Sequence, residues 1–348
     1  MSNIKDVAKE AGVSIATVSN VISGTKHVSE KLSRRVYSAI DKLGYEMNTV
    51  ASSLKSRKTN TIGIVIPNIN RIFFPQVMRG IHDSLSHLGY NLMLCDTDDN
   101  MEREMFFIQM LKNSWADGII VGSVAAENDQ DYFNKLANLT IRDKIIPVVL
   151  LEREFADTRI SSVRIDNYQA GRMAVRHLFD SGCKRILHIA GPRYSCMVNA
   201  RIKGYIDENK ANSPTFEPVI LEGDFSPLSG YQTIKNYPLA QEKIDGIFAA
   251  NDQMAIGALN ALRENGFNVP DDIKVIGFDN TFVASIVEPA LTTINVPKYK
   301  MGQNAAELLL KQINNPKIPV QNIMLPVNLM VRRSTQLGGD RAWELFGW

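Results

Sequence analysis

The stretch IKDVAKEAGVSIATVSNVIS, Ile4 to Ser23, decides how this fold begins. Asn3 stands where an N-cap belongs, and Asp6, three residues on, can return the bond as the acid of a capping box. Ile4, Val7, Ala8 and Ala11 then repeat at helical spacing. Gly12 breaks that helix, Ser14 can cap a second, and Val18, Val21 and Ile22 turn inward before Gly24 ends it. Further out, Ser29 can cap a third helix whose Leu32, Val36, Ile40 and Leu43 form an apolar stripe, with Gly44 as its stop. Two helices across a short glycine-containing turn, with a third packed on them, make a helix-turn-helix.

Charge is uneven around this head. Residues 1–58 hold ten Lys/Arg (Lys5, Lys9, Lys26, Lys31, Arg34, Arg35, Lys42, Lys55, Arg57, Lys58) and five acids (Asp6, Glu10, Glu30, Asp41, Glu46), hence +5. The 348-residue chain carries only +2, which leaves −3 for the rest. A basic head on a mildly acidic body points to a polyanion as the head's partner. The segment NTVASSLKSRK, Asn48 to Lys58, has no apolar periodicity strong enough for an isolated helix. It reads as a linker, or as a short helix formed only on binding.

From Thr61 apolar strands alternate with amphipathic helices. Strands are expected at Ile62–Pro67, Asn91–Cys95, Gly118–Val121 and Ile146–Leu151, and again at Arg185–Ala190, Pro218–Leu221, Gly246–Ala249 and Lys274–Phe278. Helices are expected at Pro75–Leu88, Glu102–Lys112, Gln169–Ser181 and Met254–Asn265. Apolar strands alternating with helices mean parallel sheets covered on both faces. The series runs twice, about four strands each time, so two α/β lobes with a cleft between them are expected. Ligands in such sheets sit at the carboxyl ends of the strands.

Composition narrows the classes. Hydrophobic residues at 45% and charged residues at 22% fit a soluble globular protein. No apolar run is long enough for a membrane span, and the first residues lack a signal-like apolar stretch. Cys95, Cys183 and Cys196 are odd in number and far apart, which disfavours a disulfide framework or a zinc site and fits a cytoplasmic protein. No GxGxxG follows the first strand and no GxxxxGK[ST] occurs, so an enzyme on a dinucleotide fold loses ground. A transport-binding protein is disfavoured by the basic head. No metal or cofactor is expected.

The head motifs Ile4-Lys5-Asp6-Val7-Ala8, Ala11-Gly12-Val13-Ser14, Thr17-Val18-Ser19, Val28-Ser29-Glu30 and Leu43-Gly44-Tyr45 resemble those of the lactose/galactose repressor (LacI/GalR) family. The body agrees at Thr61-Ile62-Gly63, Phe73-Phe74, Asp117-Gly118-Ile119, Asp166-Asn167, Arg201, Ala250-Asn251-Asp252, Gly277-Phe278-Asp279 and Pro289 to Thr293. The resemblance covers about residues 3–335. It implies a homodimeric transcriptional repressor on palindromic operator DNA, with a periplasmic-binding-protein-like body that senses a small effector. The implied plan is a head at 1–46, a hinge helix at 47–59, a body at 60–335 and a tail at 336–348. Lobe N would hold about 60–161 and 293–323, and lobe C about 162–292 and 324–335.

The resemblance also distributes roles. Ile15, Ala16 and Asn20 would choose bases, with Ser14, Thr17 and Ser19 on phosphates and His27 as a further contact. Ile15 and Ala16 offer only apolar contact, as to a thymine methyl, and Asn20 suits adenine, where many relatives carry Arg for guanine. Ala51 and Leu54 would belong to a hinge helix in the minor groove, Leu54 wedging between central base pairs. The cleft would be lined by Phe73, Phe74, Arg153, Arg201, Phe225, Asn251 and Asp279, although Phe74 also suits a core position. The residues Tyr194 to Val198 would stand near its mouth.

Two departures stand out. Arg71-Ile72 replaces the Asn-Pro of many relatives, and Glu152-Arg153 replaces Asp-Arg. Together Arg71, Arg153 and Arg201 suggest an acidic effector, a sugar acid or sugar phosphate, beside the neutral sugars. The dimer face is expected on the helix Pro75–Leu88 through Val77, Ile81 and Leu85, which suit the internal core equally. A protein corepressor stays open as a further partner.

Overall fold

The computed structural model describes residues 2–23, 26–45, 59–126, 128–141, 144–153, 160–336 and 338. The chain divides into two units, 1–59 and 60–348.

The first unit is the three-helix head: α1 Ile4–Ala11, α2 Ile15–Ser23 and α3 Glu30–Leu43. Asn3 and Asp6 form the capping box, and Gly12 closes α1 at φ 61°, a left-handed backbone that glycine adopts without strain. Ser14 Oγ accepts the Thr17 amide at 3.0 Å and so caps α2. Ser29 differs from expectation: it occupies the N-cap of α3 but its hydroxyl makes no capping bond. Val7, Ala8, Ala11, Val18, Val21, Val36 and Ala39 form a small buried core, with Ile4, Ile22, Ile40 and Leu43 packed partly against it.

In the second unit the chain first runs β1 (Thr61–Ile66), α4 (Phe74–Leu85), β2 (Asn91–Asp96), α5 (Met101–Asn113), β3 (Gly118–Val121), α6 (Gln130–Ala137), the hairpin strands β4 (Thr140–Ile141) and β5 (Lys144–Ile145), β6 (Val148–Leu151) and β7 (Ser161–Ile165). Next come α7 (Asn167–Asp180), β8 (Ile186–Ala190), α8 (Cys196–Asn212), β9 (Val219–Glu222), α9 (Pro227–Lys235), α10 (Leu239–Glu242), β10 (Gly246–Ala249), α11 (Asp252–Glu264), β11 (Lys274–Asp279) and α12 (Phe282–Ile286). The chain then passes through β12 (Thr292–Asn295), α13 (Lys298–Asn314), β13 (Asn322–Leu325) and β14 (Asn328–Met330).

Two sheets of six strands result, ordered β13-β7-β6-β3-β1-β2 and β14-β12-β11-β10-β8-β9. Within these two sheets every pairing is parallel except that of β14 with β12. The expected four strands per lobe were too few. β7, β12, β13 and β14 flank the three chain crossings between lobes. The crossings also fall later than expected: β7 stays in the first lobe to Ile165, β12 stays in the second to Asn295, and β13 stays in the first to Leu325.

β3 and β6 are buried along their whole length, as parallel strands covered on both faces must be. Val77, Ile81 and Leu85 of α4 are buried in this same core. They are therefore not available as a dimer face. Gly171 and Gly204 bring α7 and α8 into backbone contact: a Cβ on them would lie 2.8 Å from the Arg201 carbonyl and 2.4 Å from the Tyr168 carbonyl. That close approach fixes where Arg201 leaves α8. No described helix is long and apolar enough to cross a membrane.

Candidate functional site

The head presents one polar helix end. Ser14, Ala16 and His27 are exposed, Ile15 is 45% exposed, and Thr17, Ser19 and Asn20 are half-buried. An exposed isoleucine beside an alanine at a helix start is an apolar contact surface that the head's own core leaves unused. Ser14 Oγ lies 2.9 Å from Thr17 Oγ1. Both hydroxyls thus serve the helix start before any partner arrives. Lys42 pairs with Glu10 at 2.6 Å and Arg34 with Glu30 at 3.4 Å, whereas Lys5, Lys9, Lys26 and Lys31 stand exposed. Ala51 and Leu54 lie outside the described residues.

The body holds a cleft between its lobes, at the carboxyl ends of the strands, enclosing about 640 Å³ of empty space including its open mouth. Phe73, Phe74, Arg153, Arg201, Phe225, Asn251 and Asp279 all line it. The structure therefore brings together the whole set expected there. Ser195, Cys196 and Met197 line it too, while Tyr194 beside them is exposed. Phe73 and Phe74 meet edge to face at 5.3 Å. Phe225 sits in left-handed backbone at φ 71°, and its ring fills the space a side chain at Gly191 would need, 2.3 Å from that Cβ position.

Arg201 forms the floor. Its Nε donates to Asn167 Oδ1 at 2.8 Å and its Nη1 to the Ala250 carbonyl at 2.6 Å. The guanidinium lies 3.6 Å from the Phe278 ring centroid and 3.8 Å from Glu152 Oε2. Asn251 caps α11 through the Met254 amide and donates to the Phe225 carbonyl at 2.9 Å. Asp279 and Asn280 adopt left-handed backbone, φ 104° and 51°. Such backbone persists only where its surroundings hold it. Here Asp252, wholly buried, accepts from the Thr281 amide and hydroxyl at 2.6 and 2.8 Å and from the Thr293 hydroxyl at 2.6 Å. Lys298 donates to the Asp279 and Asn280 carbonyls from the other side.

The three cleft arginines are already engaged. Arg153 donates to the Ala125 carbonyl at 2.8 Å and feels the buried Glu104, which Ser123, Tyr132 and the Val124 amide hold in place. Arg71 pairs with Asp99 and lies over the Phe225 ring. Each cleft arginine thus has part of its bonding supplied by the chain itself, and its charge still faces the cleft. The carboxylates are the poorer served groups. Among the described residues, Glu152 Oε1 and Ser195 Oγ are buried with no hydrogen-bond partner. Burial pushes the Glu152 carboxyl up to about 7 against the pull of Arg201. Burial likewise raises Asp279, again opposed by Arg201.

Some of this was invisible in the sequence. The sequence marks Glu152 and Arg71 as departures but does not show their partners. Gln253 carried no signal, because the atoms it meets belong to Asn70 and Ile72, about 180 positions away.

Comparison with known proteins agrees with this layout. A family profile described as "Bacterial regulatory proteins, lacI family" matches residues 3–48, and one described as "Periplasmic binding protein-like domain" matches 175–335. Catabolite control protein A of Priestia megaterium is 35% identical over 337 residues, spanning 96% of this chain and 99% of its own. The solved Lac repressor dimer bound to operator and the anti-inducer ONPF is similar at TM-score 0.84 and 30% identity, over 96% of this chain and 99% of that one. A complex of the transcriptional regulator CelR with cellobiose matches at TM-score 0.69 and 30% identity, over 96% of this chain and 100% of that one.

Proposed function

The chain belongs to the lacI family of bacterial regulatory proteins, and on that footing we propose that it is a repressor whose grip on a palindromic operator is set by a neutral, hydroxyl-rich effector such as a sugar. It is a regulator, not an enzyme. The observation that carries the effector class is the state of the cleft's polar groups: each of the three guanidiniums has a partner in the chain, while among the described residues Glu152 and Ser195 keep buried polar atoms unmatched. A ligand hydroxyl bonded to Glu152 or Ser195 supplies what those buried atoms lack. CelR with cellobiose and the Lac repressor with ONPF are consistent company for this reading.

On the DNA side, Ile15, Ala16 and Asn20 read bases, Ser14, Thr17 and Ser19 position the head on the backbone, and His27 adds a further operator contact. Ala51 and Leu54 form the hinge contact in the minor groove. Two copies act together in the cytoplasm, since a palindromic site matches a two-fold protein. Their shared face includes α5, where Met105 and Phe106 are 49% and 64% exposed, beside the edge strand β2. Effector binding shifts the lobes and so the spacing of the two hinges.

The test is selection of bound duplexes from random DNA by the full chain, with neutral sugars, sugar acids and nucleobases added in turn. A palindrome with altered occupancy in one neutral sugar is the expected result. Failure to retain any duplex at low ionic strength, with or without ligand, would sink the reading.

A further inference from the structure

The Arg71-Ile72 departure has a use that the regulator reading does not absorb. The Ile72 amide donates to Gln253 Oε1 at 3.0 Å, and Gln253 Nε2 donates back to the Asn70 carbonyl at 3.2 Å. Asn70 and Ile72 follow β1 of the first lobe, and Gln253 opens α11 of the second. One side chain therefore bonds both polar directions of the opposite backbone, as a neighbouring strand would. A proline at 72 has no N–H and could not take part.

The adjacent residue makes a second bridge. Arg71, paired with Asp99 in its own lobe, lays its guanidinium 4.6 Å from the Phe225 ring centroid in the other. The Tyr194 hydroxyl, also from the second lobe, donates to Asp99 Oδ1 at 3.3 Å. Gln253, Arg71 and Phe225 all line the cleft.

We propose that Asn70, Arg71, Ile72, Asp99, Tyr194, Phe225 and Gln253 form a clasp that holds the two lobes together before any effector binds. Both bridges are made wholly by protein atoms of the two lobes. An effector then enters by breaking the clasp, and Arg71 and Gln253 are positioning residues that set the cost of entry. This inference needs neither DNA nor a known effector, so it stands or falls separately from the proposed function.

Cys196 supplies the readout. It lines the cleft and is half-buried, whereas burial raises the thiols of Cys95 to about 11 and Cys183 to about 12 and so slows them. The full-length, ligand-free chain is reacted with an aromatic disulfide reagent, with Cys196→Ser to assign the signal. Gln253→Ala should speed Cys196 modification about tenfold through loss of two hydrogen bonds. Ile72→Pro and Arg71→Ala should each speed it severalfold. Acceleration confined to Cys196 supports the clasp. Rates unchanged in all three variants overturn it. So does a wild-type Cys196 that already reacts as fast as in urea, which means an open cleft. Acceleration shared by Cys95 and Cys183 overturns it as well, because it reports lost folding rather than a released latch.

Discussion

Replacing Glu152 with Gln tests the electrostatics of the cleft with almost no change of shape. The Glu152 side chain is 10% exposed, with Oε2 3.8 Å from Arg201 and Oε1 without a partner among the described residues. Burial carries its carboxyl from 4.5 up to about 7. Between those values the folded chain keeps a proton that the unfolded chain has lost. Stability from this position is therefore full below about pH 4.5 and falls as pH rises through 7. At about 1.36 kcal/mol per pH unit, the interval from 4.5 to about 7 amounts to roughly 3 kcal/mol at pH 8. Gln is neutral throughout and escapes that fall. Urea unfolding of the body, followed at about pH 5 and about pH 8 in both chains, measures the effect. The advantage of Glu152→Gln over wild type should grow by about 2–3 kcal/mol between the two pH values. A constant difference, or a wild type that gains on the variant as pH rises, would refute the reasoning, since it would mean that Arg201 outweighs burial.

Two further outcomes are expected. Asn20→Arg should move the selected base at its position from adenine toward guanine, read by sequencing of duplexes retained by the full chain, because Arg pairs bidentately with guanine O6 and N7; an unchanged site would show that Asn20 does not face the bases. Phe106→Asp should weaken dimerisation at least tenfold by sedimentation while leaving the body's melting temperature within a few degrees, as suits a side chain 64% exposed; an unaltered dimer would place the interface elsewhere.

Where sequence reading succeeded, the signal was local. Asn3 with Asp6, Gly12 and Gly44 marked helix ends that depend on the residues within one turn. Gly118–Val121 and Gly246–Ala249 were legible to the residue, because a strand buried on both faces must be apolar throughout. The seven cleft residues were reached through resemblance, since no local pattern joins Phe73 to Asp279. Val77, Ile81 and Leu85 show the limit from the other side. Their helical spacing established an apolar face, and either a core or a partner could cover it. The fold covers it with the body's own interior.

The sequence by itself determined the helical head, its surplus of positive charge, and the two rounds of strand and helix, because capping, charge and hydrophobic period are properties of neighbours in the chain. Tertiary structure alone decided which charges were left to spend. Arg71, Arg153 and Arg201 gained Asp99, Ala125 and Glu152 as neighbours only on folding, and Gln253 acquired a partner only when the lobes met. An unmatched atom is a property of three-dimensional surroundings, where burial removes water and leaves each polar group only the neighbours the fold provides.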